Sequence, residues 1–131
     1  MAAITLYQLH TPDPAVPIEE TIGALADMKA AGKVLHIGVS NVDRGQIDRA
    51  LSVARIESVQ NRCNPWAHEY IYNLLLAHFA HLAITYIPLH PVCGDKGHRS
   101  CSAALAFLVL AKIYAVSPSQ LLLSCLLALA S

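Results

Sequence analysis

The chain has 131 residues, enough for a single domain over 1–131 with one modest core, and its nine Lys/Arg balance nine Asp/Glu to a formal net charge of zero, so electrostatics give no reason to expect nucleic acid as a partner. Its 55% hydrophobic and 14% charged content is high in apolar residues for a soluble domain, yet no run reaches the roughly 20 apolar residues of a membrane span, since 121–130 is short and contains Ser124. The N-terminus lacks the basic stretch of a signal peptide, and the four cysteines (63, 93, 101 and 125) contain no CxxC pair, which makes a thiol-reduced cytoplasmic protein the expectation.

Residues 4–10 (ITLYQLH) read as a strand, and Pro12, Pro14 and Pro17 make the next segment a loop. Ile18, Ile22, Leu25 and Met28 then recur at helical spacing. Pro17 suits the first helical position, Glu19 and Glu20 favour the positive helix end, and Gly32 is set to cap the C-terminus. The apolar run 34–39 is too short for a helix and reads as a strand buried on both faces, closed by Ser40 and Asn41. Asp43 with Gln46 forms a capping box for a second helix whose apolar stripe is Ile47, Ala50, Leu51 and Ala54. Residues 57–61 are the next strand. Tyr70, Leu74, Ala77 and His81 mark a third helix, 84–89 a fourth strand, and Leu105, Leu108, Ala111 and Lys112 a fourth helix. A second capping box, Ser117 with Gln120, opens a last helix with Leu122, Cys125, Leu126 and Leu129 on its core side. The order βαβαβαβα with a helical tail predicts parallel strands joined by right-handed crossovers, and hence an α/β fold. A complete eight-fold βα barrel needs about 250 residues. The expectation is therefore a half barrel: a partial TIM-type barrel of four parallel strands and four to five helices.

Four segments carry a resemblance to a known family: YQLHTPDP (7–14), GKVLHIGVSN (32–41), VQNRCNPW (59–66) and PSQLLLSCLL (118–127). In this order and spacing they resemble the C-terminal-side portion of an aldo-keto reductase, from the fourth barrel strand to the seventh helix. The resemblance implies a βα barrel, NADP(H) as cofactor bound without a Rossmann fold, and hydride transfer to a small aldehyde or ketone. His10 falls on the family's active-site histidine. Ser40, Asn41 and Gln60 fall on the residues that hydrogen-bond the nicotinamide carboxamide, and Leu89 falls where the family usually carries an aromatic ring stacked on the nicotinamide.

The family's catalytic tyrosine, lysine and aspartate lie before its fourth strand, where this chain begins, and the segment gripping the adenosine 2′-phosphate lies beyond the last helix. Carbonyl reduction needs an acid to protonate the developing alkoxide. With His10 alone of the tetrad, the expectation is weak or absent oxidoreductase activity, and weak binding of NADP(H) with little preference over NADH. One alternative is a non-enzymatic, self-associating module. Another is a newly acquired hydrolase or metal-dependent activity, for which His90, Cys93, Asp95 and His98 offer an H-x2-C-x-D-x2-H loop and Ser100 or Ser102 a nucleophile. Spacing alone does not make a metal site, so no metal ligands are assigned, and His78 and His81 read as surface or packing residues. A slice of a barrel leaves two open strand edges, 4–10 and 84–89, and uncovers Ile4, Leu6 and Gln8 by alternation from an inward His10. A homodimer or higher homo-oligomer is accordingly expected.

Overall fold

The computed structural model describes residues 2–64, 67, 75–92 and 105–129. Within them run β1 Ile4–Leu9, α1 Ile18–Ala30, β2 Val34–Ser40, α2 Arg44–Val53, β3 Ser58–Arg62, α3 Leu75–His81, β4 Thr85–Leu89, α4 Leu105–Ile113 and α5 Pro118–Leu129. The strands form one sheet in sequence order, with β1 parallel to β2 and β2 parallel to β3. Thr85 N donates to Glu57 O at 2.9 Å and Cys63 N to Leu89 O at 3.1 Å, which carries the same direction into β4. Each crossover passes through a helix, as parallel pairing requires. The α/β half barrel is the observed fold.

The chain divides into two compact units, residues 1–61 with 79–87 and residues 62–78 with 88–131. In the first, α1 buries Ile18, Ile22 and Leu25, α2 buries Ile47 and Ala50, β2 buries Ile37 and Val39, and β3 buries Val59. Helix α1 ends in a Schellman motif: Gly32 stands at φ +69°, its N–H donates to Lys29 O, and Lys33 N donates to Met28 O at 3.0 Å. Pro17 is the N-cap rather than the first helical residue, because its ψ of 132° is extended. The capping box of α2 forms, with Gln46 N donating to Asp43 Oδ1 at 2.8 Å and Asp43 N to Gln46 Oε1 at 2.9 Å. Arg49 on α2 holds Glu19 on α1 through two bonds of 2.6 Å, and that bond above all holds the Glu19 carboxyl down at about 2.

Three further sequence expectations are corrected. Strand β2 is not buried along its whole length, since Leu35 is 48% exposed and His36 is exposed too, between buried Val34 and the buried run from Ile37 to Ser40. Strand β3 begins at Ser58 rather than 57, because Ile37 N–H is taken by the side chain of Glu57, at 2.9 Å from Oε2, instead of by a strand carbonyl. On α3, Ala77 and His81 are exposed and Phe79 is buried in their stead, its ring stacked on Tyr86 with centroids 5.9 Å apart. Tyr70 and Leu74 lie outside the described residues.

In the second unit, α5 opens on the expected box, with Ser117 N donating to Gln120 Oε1 at 2.8 Å and Gln120 N to Ser117 Oγ at 3.2 Å. Ala111 and Leu122 are buried, but Leu105 and Leu108 are exposed, as is Cys125, while Leu126 is half-buried. The reason is compositional. LAFLVLAKI has Lys112 as its one polar residue and no polar stripe along its length, so helical periodicity does not select which side is covered. Among the described residues no single helix is long and apolar enough to cross a membrane.

Candidate functional site

Residues opposite one another in parallel strands point to the same face, so register decides which side chains meet. Gln8 pairs with Gly38 and Gly38 with Ser58, which makes one row across β1, β2 and β3. Two residues further toward the strand ends, Ser40 pairs with Gln60 on the same face. His10 comes after Leu9, which pairs with Val39, and so continues this upper row on the β1 side. The structure thus gathers His10, Ser40 and Gln60 along the C-terminal edge of the sheet, the edge where βα barrels hold their ligands. His10 is exposed, Gln60 half-buried and Ser40 only 1% exposed.

Asn41 joins these three strand ends. Its φ of +55° lies in the left-handed region, which asparagine enters more readily than most residues. Its N–H donates to Gln60 O at 3.1 Å, and its side-chain Nδ2 donates to His10 O at 2.9 Å and Ser40 Oγ at 3.1 Å, with Thr11 Oγ1 at 3.5 Å. These bonds fix the amide orientation, with nitrogen toward the protein. Among the described residues no other group binds Oδ1, so the outward atom is an acceptor. The Gln60 amide likewise has no side-chain bond to the described residues.

The lower row is tied as well. Gln8 Nε2 donates to Ser58 Oγ at 3.0 Å, and the bond crosses Gly38, where an added Cβ would lie 2.2 Å from Ser58 Oγ and 2.8 Å from Gln8 Cγ. On the other face of β3, buried Asn61 grips the loop after Asn41, donating to Val42 O at 2.6 Å and accepting from Val42 N at 3.1 Å. Thr11, Gly38, Ser58 and Asn61 are missed by the sequence reading as parts of the site. A glycine inside a strand and a buried strand amide were the available signals.

At the opposite end of the same strands, Glu57 pairs with Lys29 and receives Ile37 N–H, and His36 Nδ1 lies 3.7 Å from its Oε1. Burial pushes the Glu57 carboxyl up, but the Lys29 bond, the Ile37 N–H and the nearby positive charge outweigh it and hold it below the usual carboxylate range.

Leu89, in the second unit, ends β4 half-buried, and its carbonyl accepts from Cys63 N. Among the described residues no three His, Cys, Asp or Glu side chains group as metal ligands. Cys93, Asp95, His98, Ser100 and Ser102 lie outside the described residues, so the metal-loop and hydrolase readings fall there.

Parallel strands in sequence order, helical crossovers and a polar row at the strand C-termini define part of a βα barrel with its ligand face at the strand ends. The model of the Aldo/keto reductase family matches residues 1–129, and the chain belongs to that family. It is 44% identical to aldo-keto reductase YhdN of Bacillus subtilis (strain 168) over 66 residues, which are 50% of this chain and 20% of that protein. The fold is similar to that of the glycerol dehydrogenase of Gluconobacter oxydans, with a TM-score of 0.81 at 20% identity, covering 97% of this chain and 47% of the other. It is also similar to an aldo/keto reductase from Klebsiella pneumoniae solved with NADP and acetate, with a TM-score of 0.77 at 22% identity, over 92% and 44%. The chain spans less than half the length of these proteins.

Proposed function

We propose that this chain carries the nicotinamide-binding row of an aldo-keto reductase, with NADP(H) held at its carboxamide by Asn41 and Gln60, backed by Ser40, beside His10. The observation that supports this is the polarity of the upper row: an outward acceptor at Asn41 Oδ1 and a Gln60 amide with no side-chain bond to the described residues together suit a primary carboxamide, which both donates and accepts. The Klebsiella relative, a family member of the same fold, was solved with NADP. The bound cofactor would supply a hydride to an aldehyde or ketone. His10 is the one titratable side chain in the row, and it would hydrogen-bond the carbonyl oxygen and hold the proton nearest the developing alkoxide.

The test is a fluorescence titration of the purified chain with NADPH and NADH, with Gln60→Ala and Ser40→Ala alongside. Weak saturable binding of both, lost in Gln60→Ala, supports the reading. No saturable binding, or tight binding with a strong NADPH preference, overturns it. Any NADPH-dependent reduction of activated aldehydes should vanish in His10→Ala; turnover that survives would place the chemistry elsewhere.

A second reading concerns assembly. Among the described strands β1 is paired on one side only, and it presents Ile4, Leu6 and Tyr7 at 48%, 38% and 41% exposure. An apolar strand edge of this kind recruits another chain. Self-association through β1, as a homodimer or higher oligomer, is the consequence.

A further inference from the structure

We propose that Asn41 is a positioning residue for His10, one side chain that fixes the backbone of the histidine while turning a single kind of group, an acceptor, toward the ligand. The contribution of His10 to chemistry rests on the reading above; the tie between the two residues does not.

An NH₂ group has two protons. At Asn41 three oxygens lie around it, His10 O at 2.9 Å, Ser40 Oγ at 3.1 Å and Thr11 Oγ1 at 3.5 Å, so both protons are committed within the protein and the third contact is the weakest. His10 sits one residue beyond the last ladder residue of β1 and is exposed, so its carbonyl has no strand bond to hold it. The Asn41 amide supplies that bond. The backbone N–H of Asn41 in turn donates to Gln60 O, which anchors the donor itself to β3. A disturbance at Asn41 therefore reaches His10 directly, across two strands and without passing through the core.

The polarity is set by the same bonds. With nitrogen committed, a ligand N–H can bind at Oδ1 without loosening His10, whereas a ligand acceptor meets no donor there. Aspartate and glycine separate the two functions. Both tolerate the left-handed backbone, as asparagine does. Asn41→Asp keeps an outward acceptor but puts a carboxylate oxygen against the His10 carbonyl. Asn41→Gly keeps the backbone and removes both groups.

The sequence offers a direct probe, because His10–Thr11 is its one His–Thr pair. Labelling the chain with carbonyl-¹³C histidine and ¹⁵N threonine gives a single carbonyl–amide cross-peak that reports the His10 carbonyl. The expected result is that this peak shifts upfield in carbon, as for a lost hydrogen bond, in both Asn41→Asp and Asn41→Gly. The His10 ring signal, identified by its loss in His10→Ala, should move with it. Gln60→Ala, which leaves the Asn41 side chain alone, should move neither. A cross-peak unmoved in Asn41→Gly, with a native circular dichroism spectrum, overturns the proposal, and this variant decides the matter if the aspartate does not fold. NADPH titration gives the second arm: Asn41→Asp should bind more tightly than Asn41→Gly, by about tenfold for one hydrogen bond. Equal binding by the two overturns the outward-acceptor half of the proposal. Absence of NADPH binding by the parent chain overturns the functional reading instead, and the carbonyl signal, read without cofactor, still decides the tie.

Discussion

Gly38→Ala is the most informative single change to the sheet. A Cβ at this position would lie 2.2 Å from Ser58 Oγ and 2.8 Å from Gln8 Cγ, well inside van der Waals contact, so the Gln8–Ser58 bond cannot persist across it. Losing that bond costs about 0.5–1.5 kcal/mol. Overpacking against the two side chains adds about 1–3 kcal/mol. Alanine also restricts the unfolded chain, which returns about 0.4–1 kcal/mol because Gly38 does not have a positive φ. The net loss is about 0.5–4 kcal/mol, read as a lower urea midpoint with an unchanged slope. Gly38→Ala with Ser58→Ala removes the shortest contact and lets Gln8 swing away, so the double variant should recover at least half of the loss. A single variant as stable as the parent, or a double variant no better than the single, would refute the steric argument.

Glu57→Gln should flatten the acid side of the stability curve. The Glu57 carboxyl is held below its ordinary value in the folded chain, so its contribution is present above the normal carboxylate range and is lost as pH falls through and below that range; thermal melts on the acid side should show a smaller pH dependence in the variant. Asp43→Ala removes the capping box of α2 and should cost about 0.5–2 kcal/mol in urea unfolding, whereas Arg44→Ala, beside it but outside the box, should change little. Leu6→Lys puts a charge on the exposed edge strand, and light scattering should then report a mass near 14.1 kDa where the parent reports more. A parent chain already monomeric would sink the assembly reading.

What could be read from the sequence was set locally. Both capping boxes, the Gly32 turn and the order of strands and helices depend on residues within a few positions of one another, and all are present. The two-residue period of a strand was enough to align Gln8 with His10. The rest required knowing which strands pair and at what register. Ser58 reaches Gln8 across 50 positions, and Asn41 reaches His10 across 31, so neither tie leaves a mark in the neighbouring sequence. Helix α4 failed for another reason. A segment whose one polar residue, Lys112, stands in its last turn has no polar stripe to show which side faces water, and the surface that covers it is set elsewhere. Phe79 displaced Ala77 and His81 from the expected stripe because a phenyl ring gains far more from burial than a methyl group.

The Glu57 cluster sits at the strand starts, and the His10 row at the strand ends. Along β2, Ile37 is tethered to Glu57 three residues before Ser40 reaches the upper row, a separation of about 10 Å. The main acid-labile fastening of this sheet is thus removed from the ligand edge by most of a strand. Substitutions at that edge leave the Lys29–Glu57 pair and its bond to Ile37 N–H untouched, and acid can loosen the base of the sheet without protonating a carboxylate of the upper row, since Asn41, Ser40 and Gln60 carry none. Protonation of Glu57 therefore acts first on how the strand starts are held together, at a distance from the His10 row.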